Sequence, residues 1–104
     1  MPERFISPVP LPTAHQREVA TILIEECAEV QQRATKLLRF GVSDIEASQP
    51  FSNSARLSAE VGDLLETIEL ALQVGILTQA FIDQGRAHKR KQLARYMQTD
   101  PDDA

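Results

Sequence analysis

The chain has 104 residues, enough for one domain with a modest hydrophobic core. Its single cysteine excludes an intramolecular disulfide, and its formal net charge of −4 argues against nucleic acid as the main partner. No apolar run approaches a membrane span and the N-terminus has no apolar signal segment, so we expect a cytoplasmic protein without membrane contact.

Residues 1–12 contain four of the six prolines and are predicted to form an extended N-terminal arm. Thr13 and Gln16 have the spacing of a capping box, which predicts the start of a first helix. Gly41 predicts that this helix ends at about Phe40. Apolar residues recur through it at helical spacing, with the cysteine on the same stripe as a small core residue: Val19, Leu23, Cys27, Val30, Ala34 and Leu37.

A polar loop is predicted at residues 42–53, where Pro50 interrupts the chain. A loop of this length in a small domain is either functional or mobile. Asn53 or Ser54 is expected to cap a second helix that ends near Gly75. The apolar stripe of this helix consists of Leu57, Val61, Leu64, Ile68, Ala71 and Leu72.

A third helix is predicted to begin at Thr78, and it carries most of the basic charge. The residues that follow it, 98–104, form an acidic tail that we expect to be flexible. No alternating strand pattern occurs, so the sequence predicts one all-α domain over residues 13–97. Its helices offer more apolar surface than one subunit covers, which predicts a helical bundle completed by homo-oligomerisation, as a homo-dimer or homo-tetramer.

Two acidic pairs lie within the first two predicted helices. Carboxylates three residues apart share a helix face, so Glu26 pairs with Glu29, and Glu60 with Asp63. Four oxygen donors on two facing helices form a site for a hard divalent cation, Mg²⁺ with Mn²⁺ as an alternative. Magnesium held by carboxylates commonly binds phosphates, which indicates a nucleotide-handling enzyme.

Three other interpretations of these acids remain open. They could form a solvated acidic face, or salt bridges to Arg33, Arg56 or the third helix. A di-iron carboxylate bundle also places acids on facing helices, but it normally needs Glu-x-x-His pairs. The two histidines, His15 and His88, lie far from both acidic pairs in the sequence.

The two acidic segments read EECAE at residues 25–29 and EVGD at residues 60–63. Together they resemble the signature of the MazG-like all-α nucleoside triphosphate pyrophosphohydrolases, in particular the short, stand-alone type. The segment LIEECAEVQQRATKLLRFG at 23–41 is similar to the first catalytic helix of those proteins, and KRKQLARYM at 89–97 to their later basic segment. The stretch between the two pairs is long for the signature.

The resemblance implies hydrolysis of a nucleoside triphosphate to the monophosphate and pyrophosphate. Magnesium would be held by Glu26, Glu29, Glu60 and Asp63. Glu29 is the predicted general base, and the side chains expected to bind the substrate phosphates are Lys36, Arg39 and Lys89. A rival interpretation is a non-catalytic helical dimerisation or metal-binding module. The sequence does not specify base or sugar preference.

Overall fold

A computed structural model describes residues 9–103, except for the side chain of Asp103. Most of the predicted N-terminal arm therefore lies outside the described residues. The described chain consists of helices α1 (Ala14–Phe40), α2 (Asn53–Gln73) and α3 (Gln79–Tyr96), with a short 3₁₀ turn at Pro101–Asp103 in the acidic tail. No strand occurs between residues 9 and 103, so the all-α prediction is confirmed. None of these helices combines the length and apolar character needed to cross a membrane.

Helix α1 begins and ends as the sequence predicts. The Gln16 amide donates to the Thr13 hydroxyl and the Thr13 amide donates to the Gln16 side-chain oxygen, both at 3.0 Å. These reciprocal bonds satisfy two amide groups that a helix start otherwise leaves unpaired. At the other end Gly41 has φ +107°, a conformation that glycine adopts without strain, and its amide donates to the Leu37 carbonyl.

The predicted cap of α2 was wrong by one or two residues. Ser52 is the capping residue, and its side chain accepts a hydrogen bond from the Ala55 amide. Asn53 has a different role, because its buried side-chain amide donates to the Gly41 carbonyl at 2.9 Å. The Asn53 backbone amide also donates to the Asp44 carbonyl at 2.8 Å, so this residue closes the base of the loop.

Helices α1 and α2 form an antiparallel pair. The Gln16 side-chain amide donates to the Val74 carbonyl at 2.9 Å, so the start of α1 lies beside the end of α2. Asn53 and Gly41 join the opposite ends. The two buried apolar residues in the described chain, Val19 and Ala71, lie on this pair.

Helix α3 stands apart from the pair. It has no buried residue and does not pack extensively on α1 or α2. Thr78 precedes it as predicted, but the Thr78 hydroxyl makes no capping hydrogen bond. The radius of gyration is 18.5 Å, whereas a compact chain of this length has about 13 Å.

Much of the apolar surface is open in a single chain. Among the large apolar side chains, Leu38 is 84% exposed, Phe81 71%, Ile24 70% and Leu65 60%. Cys27 is also exposed, so its prediction as a core residue was wrong for the isolated subunit. The physical reason is that α1 has only one packed partner helix, which leaves the other sides of α1 uncovered.

Replacing Asn53 by alanine should destabilise the protein by about 0.5–1.5 kcal/mol, because it removes the part-buried hydrogen bond from the Asn53 side chain to the Gly41 carbonyl. Urea unfolding followed by helical circular dichroism measures this loss. Gln49→Ala, in the exposed part of the same loop, is the matched control and should change stability by less than about 0.5 kcal/mol. Equal effects of the two substitutions would contradict the anchoring role of Asn53.

Candidate metal centre

Three carboxylates meet on the α1–α2 pair. Glu26 on α1 and Glu60 and Asp63 on α2 each place one oxygen within 4.8 Å of the others. The i,i+3 spacing puts the two α2 acids on one face, and the antiparallel register brings Glu26 opposite them. Oxygen ligands from two helices at this separation suit a hard divalent cation.

One oxygen of Glu26 is the most constrained atom of this cluster. Glu26 Oε2 is inaccessible to solvent and has no hydrogen-bond partner among the described residues. Burial raises the pKa of Glu26, and the charges of Asp63 and Glu60 raise it further. An inaccessible carboxylate oxygen without a donor is unfavourable. A bound cation would give this oxygen a partner and would offset the repulsion among the three carboxylates. The residues present therefore fit a divalent metal.

Glu29, the predicted fourth ligand and general base, is not part of this three-carboxylate cluster. It is exposed, although its charge contributes to the raised pKa of Glu26. A residue three positions along a helix from Glu26 is displaced by about one turn, so Glu29 flanks the cluster. Its role as ligand or base therefore stays a prediction.

Basic residues lie toward the loop end of the same helix pair. Lys36 Nζ is 3.3 Å from one oxygen of Glu46, and Arg56 Nη1 is 2.6 Å from the other. Glu46 belongs to the loop between α1 and α2. The hydrogen bonds from Arg56 and Lys36 hold the pKa of Glu46 below its usual value. In this structure Lys36 is therefore paired with a loop carboxylate.

The salt-bridge interpretation of the acidic cluster finds no support in the described part of the chain. There, none of the three clustered carboxylates forms an ion pair, and Arg56 pairs with Glu46 instead. Arg33 is half-buried, and its Nη1 is inaccessible and without a hydrogen-bond partner among residues 9–103. Arg33 follows Glu29 by one helical turn, so this second unsatisfied polar atom lies on α1 beyond the residue that flanks the cluster.

The other predicted substrate-binding residues are separated from the cluster. Arg39 lies over the Phe40 ring, 5.0 Å from its centroid, and lines a cavity of about 500 Å³ with Lys36 and Glu46. Lys89 lies on α3, which does not pack extensively on either acidic helix. A single subunit thus brings together three predicted metal ligands but does not add Lys89 to them.

Glu46 and the pairing of Arg56 with it were missed by sequence reasoning. Arg56 precedes Glu60 by four residues, so helical spacing alone places it on the face of the acidic residues. No sequence spacing predicts the position of Glu46, because a loop residue comes into contact with two helices only when the chain is folded.

Comparison with known proteins finds no match for this chain among protein-family models, curated proteins or solved structures. The MazG-like family therefore stays a prediction that depends on the sequence signature.

Replacing Glu26 by glutamine should raise the melting temperature in EDTA at neutral pH. The pKa of Glu26 is raised in the folded state, so the folded protein holds this proton more tightly than the unfolded chain. The ionised group therefore destabilises the fold increasingly as pH rises above about 4.5, so the gain from Glu26→Gln should shrink as pH falls toward that value and be absent below it.

Thermal scans from about pH 4 to about pH 8, a range that covers carboxyl titration, measure this effect. Glu69→Gln, on the exposed surface of α2, is the control.

Added Mg²⁺ should raise the melting temperature of the unmodified protein, because a ligand of the folded state stabilises it. Glu26→Gln should lose most of that increase. An Mg²⁺ effect of the same size in both proteins would show that Glu26 is not a ligand.

Proposed function

We propose that the protein is a Mg²⁺-dependent nucleoside triphosphate pyrophosphohydrolase of the MazG-like all-α type. The observation that carries the proposal is the convergence of Glu26, Glu60 and Asp63 within 4.8 Å on two antiparallel helices. These are three of the four acids in the signature that resembles this family. A cluster of acids can also occur without any ion, so the proposal needs the signature and the inaccessible Glu26 oxygen together.

The three clustered carboxylates would hold Mg²⁺, with Mn²⁺ as an alternative. The ion would neutralise charge on the phosphate oxygens of the substrate. Water would attack the α-phosphorus, the bond to the α,β-bridging oxygen would break, and pyrophosphate would leave with that oxygen. Glu29, exposed beside the cluster, is the candidate to take the proton from water.

A second candidate function is a non-catalytic helical module that associates through apolar surface and binds a metal without turnover. The exposed apolar side chains of all three helices favour this alternative. The two candidates differ in one measurement, the release of pyrophosphate from a panel of ribo- and deoxyribonucleoside triphosphates with Mg²⁺ and with EDTA.

In that assay Glu60→Gln and Asp63→Asn should each reduce pyrophosphate release by about 100-fold or more, since even outer partners of a metal ligand commonly contribute 10- to 100-fold. Glu66→Gln, an exposed acid of the same helix outside the cluster, should retain activity. Helical circular dichroism should be unchanged in all three variants. Loss of activity together with loss of helicity would instead assign Glu60 and Asp63 a structural role.

We also infer that two or more copies associate to complete the bundle. The α1–α2 pair buries two apolar residues, Val19 and Ala71, within the described chain, and α3 buries none. The open apolar positions lie on every helix, including Ile24 on α1, Leu65 on α2 and Phe81 on α3. A second copy offers the same apolar surfaces, which makes a symmetric association the simplest way to cover them.

Light scattering at micromolar concentration should give a mass that is a multiple of the 11.6 kDa subunit. Leu65→Asp places a charge on the open apolar surface and should shift the mass toward one subunit, whereas Gln73→Asp on exposed α2 surface should not. A stable, compact 11.6 kDa monomer for the unmodified protein would refute the association.

A further inference from the structure

A loop carboxylate occupies the space between two cations at the loop end of the helix pair that carries the acidic cluster. The Glu46 oxygens each bind a different cation, Lys36 at 3.3 Å and Arg56 at 2.6 Å. The Arg56 side chain is only 20% exposed and the Lys36 side chain 31%, so both charges are partly withdrawn from solvent. Two such cations on facing helices, bridged by one anion, have the geometry of an anion-binding site.

We propose that Lys36 and Arg56 form the subsite for the outer phosphates of the substrate, and that Glu46 is an internal anion which a phosphate group displaces. The assignment of the bound phosphates to a nucleotide substrate rests on the proposed function. The existence of the Lys36–Arg56 cation pair does not depend on that function.

The position of the pair along the helices fits a phosphate chain that starts at the acidic cluster. Arg56 lies four residues before Glu60, one turn or about 6 Å along α2. Lys36 lies seven residues after Glu29, which flanks the cluster, and ten residues after Glu26, about 15 Å along α1. Arg56 therefore lies on the same side of α2 as Glu60, and Lys36 lies on the same side of α1 as Glu29. The two cations extend from this flank of the cluster toward the loop.

Open space borders the Glu46 side chain on two sides. A cavity of about 500 Å³ and another of about 330 Å³ are each lined by Lys36, Phe40 and Glu46. Glu46 is the part of this shared wall that comes from the loop. Rotation of its side chain into this space would leave room for a phosphate group beside Lys36, and Arg56 lies 2.6 Å from the carboxylate oxygen that the phosphate would replace.

The loop does not depend on Glu46 for its attachment to the helices. Asn53 binds the Gly41 carbonyl at 2.9 Å and the Asp44 carbonyl at 2.8 Å, and the Ser54 amide donates to the Val42 carbonyl at 3.0 Å. These bonds hold both ends of the loop. The Glu46 carboxylate can therefore leave the cations without releasing the loop.

Binding of inorganic pyrophosphate to the full chain in EDTA at low salt tests the proposal, with calorimetry as the readout. Glu46→Gln keeps the shape of the side chain and removes its charge, so it should tighten pyrophosphate binding by about two- to fivefold, the equivalent of one exposed ion pair. Asp44→Asn removes a charge from the same loop without touching the cation pair, and it should have a smaller effect.

Removing a cation should reverse the gain. Arg56→Met added to Glu46→Gln should return pyrophosphate binding to the level of the unmodified protein or below it, whereas Arg95→Met at the end of α3 should not. The proposal is overturned if Glu46→Gln binds pyrophosphate no more tightly than Asp44→Asn. It is also overturned if the gain survives Arg56→Met. Circular dichroism of each variant confirms that the helices are intact.

The outcomes separate this inference from the proposed function. Pyrophosphate binding in EDTA needs neither metal nor turnover, so a protein that hydrolyses no nucleotide can still show the effect of Glu46→Gln. In that case the anion site stands and the pyrophosphohydrolase proposal fails. Turnover by the unmodified protein without any gain in Glu46→Gln gives the opposite result, and Glu46 is then a structural ion-pair partner.

Discussion

The packing of α1 against α2 brings three carboxylates together, and the candidate site depends on this packing. The Gln16–Val74 hydrogen bond joins one end of the antiparallel pair, and the resulting register places Glu26 opposite Glu60 and Asp63. Among the described residues no basic side chain pairs with these acids, and burial together with the charges of Asp63 and Glu60 raises the pKa of Glu26. Folding thus has an electrostatic cost at the three-carboxylate cluster, and a bound cation would remove that cost.

The second constraint is the small core. Two helices bury only the stripe that each turns toward the other, so side chains on their remaining faces stay open, as Ile24 and Leu65 do. A third helix would normally cover one of these faces, but α3 buries none of its own residues. The fold of one subunit is therefore determined by the sequence features that start and end each helix and by the single α1–α2 interface. The apolar surface left over is what makes association with a second copy physically reasonable.

Local features of the fold were predictable from sequence, because they depend on residues a few positions apart. The Thr13–Gln16 capping box and the stop at Gly41 needed only neighbouring residues, and the i,i+3 spacing of Glu60 and Asp63 fixed their shared face. Three features were not predictable. Ser52 caps α2 while the Asn53 side chain donates to the Gly41 carbonyl. Cys27 is exposed because α3 leaves α1 uncovered, and Glu46 meets Arg56 only through the folded loop. Each depends on contacts between distant segments.

The charges on the α1–α2 face also constrain the kind of ligand that would suit it. A free cation would neutralise the charge of Glu26, Glu60 and Asp63. It would not interact favourably with Lys36 and Arg56, which are paired with Glu46. A free polyphosphate would meet the two cations and, one turn from Arg56, the repulsion of unneutralised carboxylates. A polyphosphate that carries a divalent cation satisfies both halves of the face, because its metal matches the acids and its outer phosphates match the cations. On this argument metal and polyphosphate bind cooperatively, each removing a charge that opposes the other.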